Sequence, residues 1–282
     1  MDRTWWQITI GAGAGEEDFL FWLLQNWGCQ GMETVTRGEG ILVSAYVSTT
    51  TRSEADLAEF AHRLAQDYGI KDITWQIMPE EDWQHAWRQH WQPDPVGKSL
   101  IIYPAWWEVP PVLDRLVIRL DPGGAFGSGA HPTTRLCLEA LEEMVSPQTA
   151  SFADLGCGSG ILGIAAHRLG AQQIYSADID PVAVQATRYN WELNQFPPDR
   201  LVVLQGSIED LPPVDGFVCN ILAEPILAMV PHFSRLGQWG ILSGMLLEQV
   251  GVIRDALQVH GWTIPKVLQQ EQWAGMIIKI IN

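Results

Sequence analysis

Apolar and polar residues alternate over residues 4–10 (Thr-Trp-Trp-Gln-Ile-Thr-Ile), which predicts a strand, and the period then changes. From Glu16 to Trp27 the spacing of Leu20, Leu23, Leu24 and Trp27 puts them on one helical face. Two further alternating runs, Gly31–Thr36 and Ile41–Val47, flank a turn at Gly38-Glu39-Gly40. Ser53 and Asp56 have the form of a capping box, and Leu57, Phe60, Ala61 and Leu64 follow at helical spacing. Ile73–Met78 closes the segment as a strand. The order β-α-β-β-α-β predicts a small ferredoxin-like α+β domain over residues 1–79, a size and position that suit an interaction module.

Residues 80–97 break this pattern. Trp83, Trp87 and Trp91 recur every fourth residue, which on a helix gives one aromatic face, and Pro93-Asp94-Pro95 ends that helix in a linker. Over 98–282, strands at Ser99–Tyr103 and Leu116–Leu120 lead into the glycine-rich loop Asp121–Pro132 and a helix at Thr133–Met144. An apolar run from Ser151 then meets Gly156, Gly158 and Gly160 and continues into a helix through Ala166. Strands at Gln173–Ala177, Leu201–Leu204, Asp215–Cys219 and Gly240–Gly244 alternate with helices at Pro181–Asn194, Ile226–Phe233 and Leu247–Val259. Alternation of this kind predicts a doubly wound α/β sheet, mainly parallel and covered on both faces. The last two strands, Trp262–Leu268 and Gly275–Ile280, have no helix between them, so an antiparallel hairpin is expected at one edge.

Composition narrows the classes. In a chain of 282 residues, 47% are apolar and 18% charged, which fits a folded core and not a disordered segment. The net charge of −16 argues against a protein that neutralises nucleic-acid phosphates, so no direct nucleic-acid contact is expected. Cys29, Cys137, Cys157 and Cys219 are scattered, which gives neither a disulfide framework nor a metal-ligand pair. The start, Met1–Trp6, lacks the order of a secretion signal, and no apolar run reaches the ~20 residues of a membrane span. A cytoplasmic enzyme without a metal or membrane attachment is the expectation.

The candidate chemistry lies at Asp154-Leu-Gly-Cys-Gly-Ser-Gly160. Strand, glycine turn and helix start together predict a ligand against the backbone, facing the helix N–H groups. Asp178 ends the next strand, and an acidic residue ~20 positions after such a turn meets ribose hydroxyls. Gly158-Ser-Gly160-Ile-Leu-Gly163 matches the dinucleotide fingerprint in a shifted frame. However, Asp154 just before the turn would repel a pyrophosphate and favour a ligand carrying a sulfonium and an ammonium group. That ligand is S-adenosylmethionine.

The D-x-G-x-G-x-G core, Asp178 and the strand-ending Asn220 together resemble class I methyltransferases. Asp121–Thr134, with its A-F-G-x-G-x-H-P-T-T core, along with Asp178-Ile-Asp-Pro181 and Asn220-Ile-Leu-Ala223, resembles the ribosomal protein L11 methyltransferase (PrmA) family. The likeness extends over essentially the whole chain. Ser128 and Ala130 stand where that family usually has threonines, and Glu224 where a small or amide residue is common. The resemblance implies that Thr134, Gly156, Asp178 and Asn220 contact S-adenosylmethionine and that Asn220 orients the incoming amine. It further implies that the N-terminal domain binds the ribosomal protein and presents its lysine side chains and N-terminal α-amine; a monomer is the expectation. His131, beside Pro132 at a helix start, reads as structural more readily than as a base. Asp180-Pro181 reads as a helix cap, in competition with Asp178 for the ribose. Two rivals stay open: an enzyme acting on another amine, and an NAD-dependent oxidoreductase. The Asn-Pro-Pro-Tyr of glutamine-amide methyltransferases is absent after residue 219.

Overall fold

The alternating runs at the start of the chain become four strands and two helices in the computed structural model, which describes residues 4–13, 16–37, 40–79, 91–121 and 126–281. The chain divides into two compact units, residues 1–91 and 92–282. In the first, β1 (Thr4–Gly13), α1 (Glu17–Trp27), β2 (Gln30–Arg37), β3 (Gly40–Ser48), α2 (Glu54–Tyr68) and β4 (Ile73–Pro79) form an antiparallel sheet of order β2-β3-β1-β4. Ile8 and Ile10, Val43 and Ala45 face Leu20 and Leu24 of α1 and Leu57, Phe60 and Leu64 of α2 in one core. Each such aliphatic or aromatic side chain stabilises the fold by about 1.5–3 kcal/mol when fully buried. The capping box at Ser53 and Asp56 forms in both directions, and both helices end in left-handed glycines, Gly28 (φ 99°) and Gly69 (φ 74°). The aromatic segment 80–91 lies outside the described residues except for Trp91.

The second unit starts earlier than the linker expectation allows. Asp94–Val96 is a strand, β5, antiparallel to β6 (Leu100–Pro104), which runs parallel to β7 (Leu116–Leu120). Glu142 of α3 (Pro132–Met144) secures this small sheet by accepting the N–H groups of Lys98, Ser99 and Leu100 and the Ser99 hydroxyl. Partial burial opposes its ionisation, but those donors outweigh burial and hold the carboxyl below its ordinary range.

The main sheet uses β8 (Ser151–Leu155), β9 (Gln173–Asp178), β10 (Leu201–Gln205), β11 (Gly216–Asn220), β12 (Trp239–Leu246), β13 (Trp262–Gln270) and β14 (Trp273–Ile280). Its order is β10-β9-β8-β11-β12-β14-β13, parallel except for β14, which is antiparallel to both neighbours. Helices α4 (Ile161–Arg168), α5 (Pro181–Leu193), α6 (Ala223–Met229), α7 (Phe233–Leu236) and α8 (Val250–Val259) connect the strands. The helix expected from Ile226 starts at Ala223, because Pro225 sits in its first turn, where a missing N–H costs nothing. From β8 the chain builds outward through β9 and β10, then returns to β11 on the other side. The crevice at such a reversal, beyond the strands' C-terminal ends, is where open α/β sheets bind ligands. No helix among the described residues is long and apolar enough to cross a membrane.

Candidate functional site

Three glycines carry the chain from β8 into α4 at positive φ: Gly156 (68°), Gly158 (52°) and Gly160 (82°). The turn they build uses its own donors. Gly156 and Cys157 N–H both donate to Ala177 O (2.9 and 3.2 Å), and Gly158 N–H donates to Asp178 Oδ2 (3.0 Å). Ser159 N–H donates to Phe126 O (2.8 Å) and Gly160 N–H to Cys157 O (2.7 Å). A pyrophosphate cradle needs these amides open to the ligand. Here the amides of residues 156–160 are engaged within the protein, so the dinucleotide fingerprint in the shifted frame lacks its open cradle.

Asp154 also sits differently from the sequence reading. It is fully buried beneath the turn, and its Oδ2 accepts the N–H of Gly163 (2.9 Å), an otherwise unpaired donor in the first turn of α4. Its Oδ1 has no hydrogen-bond partner, nor does the buried hydroxyl of Ser176, which pairs with Asp154 in the β8–β9 register. Burial, and to a lesser degree the charge of Asp178, outweigh the Gly163 hydrogen bond and push the Asp154 carboxyl up to about 7. The residue braces strand against helix.

Asp178 and Asp180 divide two tasks. Asp180 caps α5, accepting the Val182 N–H (2.8 Å), while Asp178 accepts the N–H groups of Gly158 and Asp180 and stays partly exposed. At the end of β11, Asn220 meets Thr134 from the first turn of α3: its Nδ2 donates to Thr134 Oγ1 (3.3 Å). Both are buried, and Asn220 Oδ1 has no partner. A buried acceptor left open costs about 1–3 kcal/mol, and a ligand donor would relieve that cost. His131 is the N-cap of α3: its Nδ1 engages Thr133, and its ring lies edge-on to Phe126 (5.5 Å) and Trp273 (4.8 Å). Burial pushes it down to about 4, so the ring is neutral at pH 7.

Sequence reasoning missed a pair of asparagines. Asn190 and Asn194, one turn apart on α5, act like an added strand against β7 and its exit. Asn194 accepts Arg119 N–H and donates to Arg119 O, and Asn190 accepts Asp121 N–H and donates to Asp121 O. Asn190 Nδ2 also reaches Ser159 O (2.9 Å), so one side chain joins the loop entrance to the glycine turn. Polar residues four apart on the inner face of a helix were the available signal. Across the turn, the Ser159 hydroxyl donates to Gly127 O (2.6 Å), and a Cβ on Gly158 would come within 2.5 Å of Phe126 O, so only glycine fits there.

Thr134 at the start of α3 and Asp178 and Asn220 at strand ends thus offer acceptors, and the charged side chain among the three is a carboxylate. A ligand bearing hydroxyls and positive charge fits this set, whereas a polyanion does not.

Comparison with known proteins agrees. The profile of the ribosomal protein L11 methyltransferase (PrmA) family matches residues 4–280. The chain is 44% identical to a ribosomal protein L11 methyltransferase of Thermosynechococcus vestitus, over 97% of this chain and 96% of the relative. It is 42% identical to that of a Cyanothece species over 97% of both chains. Among solved structures, a ribosomal protein L11 methylase from Lactobacillus delbrueckii subsp. bulgaricus superposes with a TM-score of 0.63 at 32% identity, covering 68% of this chain and all of that one. From its first strand to its last, this chain belongs to the ribosomal protein L11 methyltransferase family.

Proposed function

We propose that this protein transfers methyl groups from S-adenosylmethionine to amines of ribosomal protein L11, namely lysine side chains and the N-terminal α-amine. The observation that carries the reading is the buried, unpartnered Oδ1 of Asn220 at the crevice end of β11. When bound, the cofactor supplies a methyl carbon already activated by its sulfonium. The chain has then to supply alignment and a neutral amine.

Asn220 Oδ1 accepts an N–H of the incoming amine and turns its lone pair toward the donor. Thr134 holds the other end of the same amide through its hydroxyl. A lysine amine starts near a pKa of ~10.4, and entry into a buried crevice disfavours its charged form. Asp178 accepts the ribose hydroxyls, a charged-acceptor interaction worth about 1.5–3 kcal/mol. Gly156 lets the methionine portion lie against backbone. The N-terminal unit holds the ribosomal protein, a monomer suffices, and the net charge of −16 suits a basic partner.

The test is intact-mass analysis of purified L11 after incubation with enzyme and S-adenosylmethionine, followed by peptide mapping. Mass increments of whole methyl groups, mapping to lysines and the N-terminus and lost with Asn220→Ala, are expected. Unmodified L11, or full activity of Asn220→Ala, would overturn the reading.

A further inference from the structure

We infer that Ile221 is a positioning residue, seated between Gly156 and Gly244, that sets where Asn220 stands for the incoming amine. The inference rests on the role proposed above for Asn220.

The seat is visible from both sides. In the β11–β12 register Asn220 pairs with Ser243, and the pairing of β12 with β14 then shifts between Ser243 and Met245. The bulge residue is Gly244, at φ 90°. A glycine inside a strand weakens it and marks a bulge or the close approach of another backbone. Here it marks both. A Cβ on Gly244 would overlap the carbonyl oxygen of Ile221 and lie 2.7 and 2.9 Å from its carbonyl carbon and its nitrogen. On the opposite side, a Cβ on Gly156 would run into Ile221 Cγ2. One glycine admits the Ile221 backbone and the other its side chain, and at both positions φ penalises any other residue.

Gly156 belongs to the turn and Gly244 to the strand beside β11. Ile221 therefore references Asn220 to both, one peptide bond away. Its side chain also packs on the main core cluster, so it has little room to adjust. Acceptor alignment is a steep function of position: a displacement of about 1 Å can cost on the order of 100-fold in rate.

The experiment uses the full chain with three changes: Ile221→Ala, which empties the contact at Gly156; Gly244→Ala, which pushes a methyl into the Ile221 backbone; and Ile221→Val, which keeps a branched γ-methyl. Steady-state methylation of L11 gives kcat and KM, and calorimetry with S-adenosylhomocysteine gives cofactor-site affinity. A fall in kcat of about 10–100-fold for Ile221→Ala and Gly244→Ala is expected. Affinity for S-adenosylhomocysteine should hold, and Ile221→Val should restore kcat. An unchanged kcat in Ile221→Ala overturns the inference, as does a parallel loss of kcat and affinity, which would mean that the turn itself had collapsed. If Gly244→Ala does not fold, the two Ile221 variants decide. Asn220→Ala runs alongside. Its inactivity with an active Ile221→Ala refutes only the positioning role, whereas an active Asn220→Ala refutes the reading of Asn220 itself.

Discussion

Replacing Asp154 by asparagine tests whether the carboxyl beneath the glycine turn is an acid that the fold holds near neutrality. Burial moves it from an ordinary value of 3.8 to about 7. Between these pH values the folded protein keeps a proton that the unfolded chain has lost, so stability falls as pH rises. The slope is about 1.4 kcal/mol per pH unit. Over the whole interval the contribution reaches about 4 kcal/mol, and it is constant above about pH 7. Asp154→Asn removes the titration. Its amide oxygen can still accept the Gly163 N–H, while its NH2 takes the place of the carboxyl O–H at the unpartnered Oδ1. Relative to the variant, wild type should therefore lose about 4 kcal/mol of stability between pH 4 and pH 8. Urea unfolding of both proteins at several pH values measures the difference, and all other titrating groups cancel in the comparison. Parallel stability curves from pH 4 to 8 would refute the argument, because they would mean that Asp154 ionises in the fold much as it does in water.

Four further outcomes follow from the same structure. Asp178→Ala should weaken S-adenosylhomocysteine binding by about 10–100-fold, the worth of a charged acceptor, and unchanged affinity in calorimetry would show that another group holds the ribose. His131→Ala should lower stability by about 0.5–2 kcal/mol through loss of the α3 cap while keeping kcat. A collapse of kcat in a folded variant would restore histidine as a base. Asn190→Ala removes a partner from Asp121 N–H, Asp121 O and Ser159 O, and should cost about 1–3 kcal/mol or more in thermal or urea unfolding. A fragment beginning at Gln92 should bind S-adenosylhomocysteine but fail to methylate L11, and efficient methylation by it would remove the N-terminal unit from substrate recognition.

Local signals were legible wherever one stretch of chain satisfied its own chemistry. Ser53 with Asp56 and Asp180 before Pro181 appear where the sequence puts them, and over the main sheet strands and helices alternate in the expected order. What could not be read was where a group points once the sheet is assembled. Asp154 precedes the turn in sequence, yet its side chain alternates to the face under α4, so proximity along the chain misrepresents its distance from a ligand. The turn amides looked available because their acceptors, Phe126 O and Ala177 O, come from other segments. Thr134 and Asn220 are joined across 86 positions by strand order alone. The bulge at Gly244 exists only in register with β14, and a lone glycine in a strand does not announce what passes over it.

The ties between the glycine turn and residues 126–131 bear on how the enzyme cycles. Ser159 holds the carbonyls of Phe126 and Gly127, and His131 fastens the far end of this stretch to α3. Fixing a backbone costs roughly 1–2 kcal/mol per residue in conformational entropy, and in this stretch that cost is met when the protein folds, not when a ligand arrives. This stretch is therefore tied down before any ligand arrives. A ligand that binds beside the glycine turn would then meet a wall that is already formed, which suits a catalyst that must reload after each transfer.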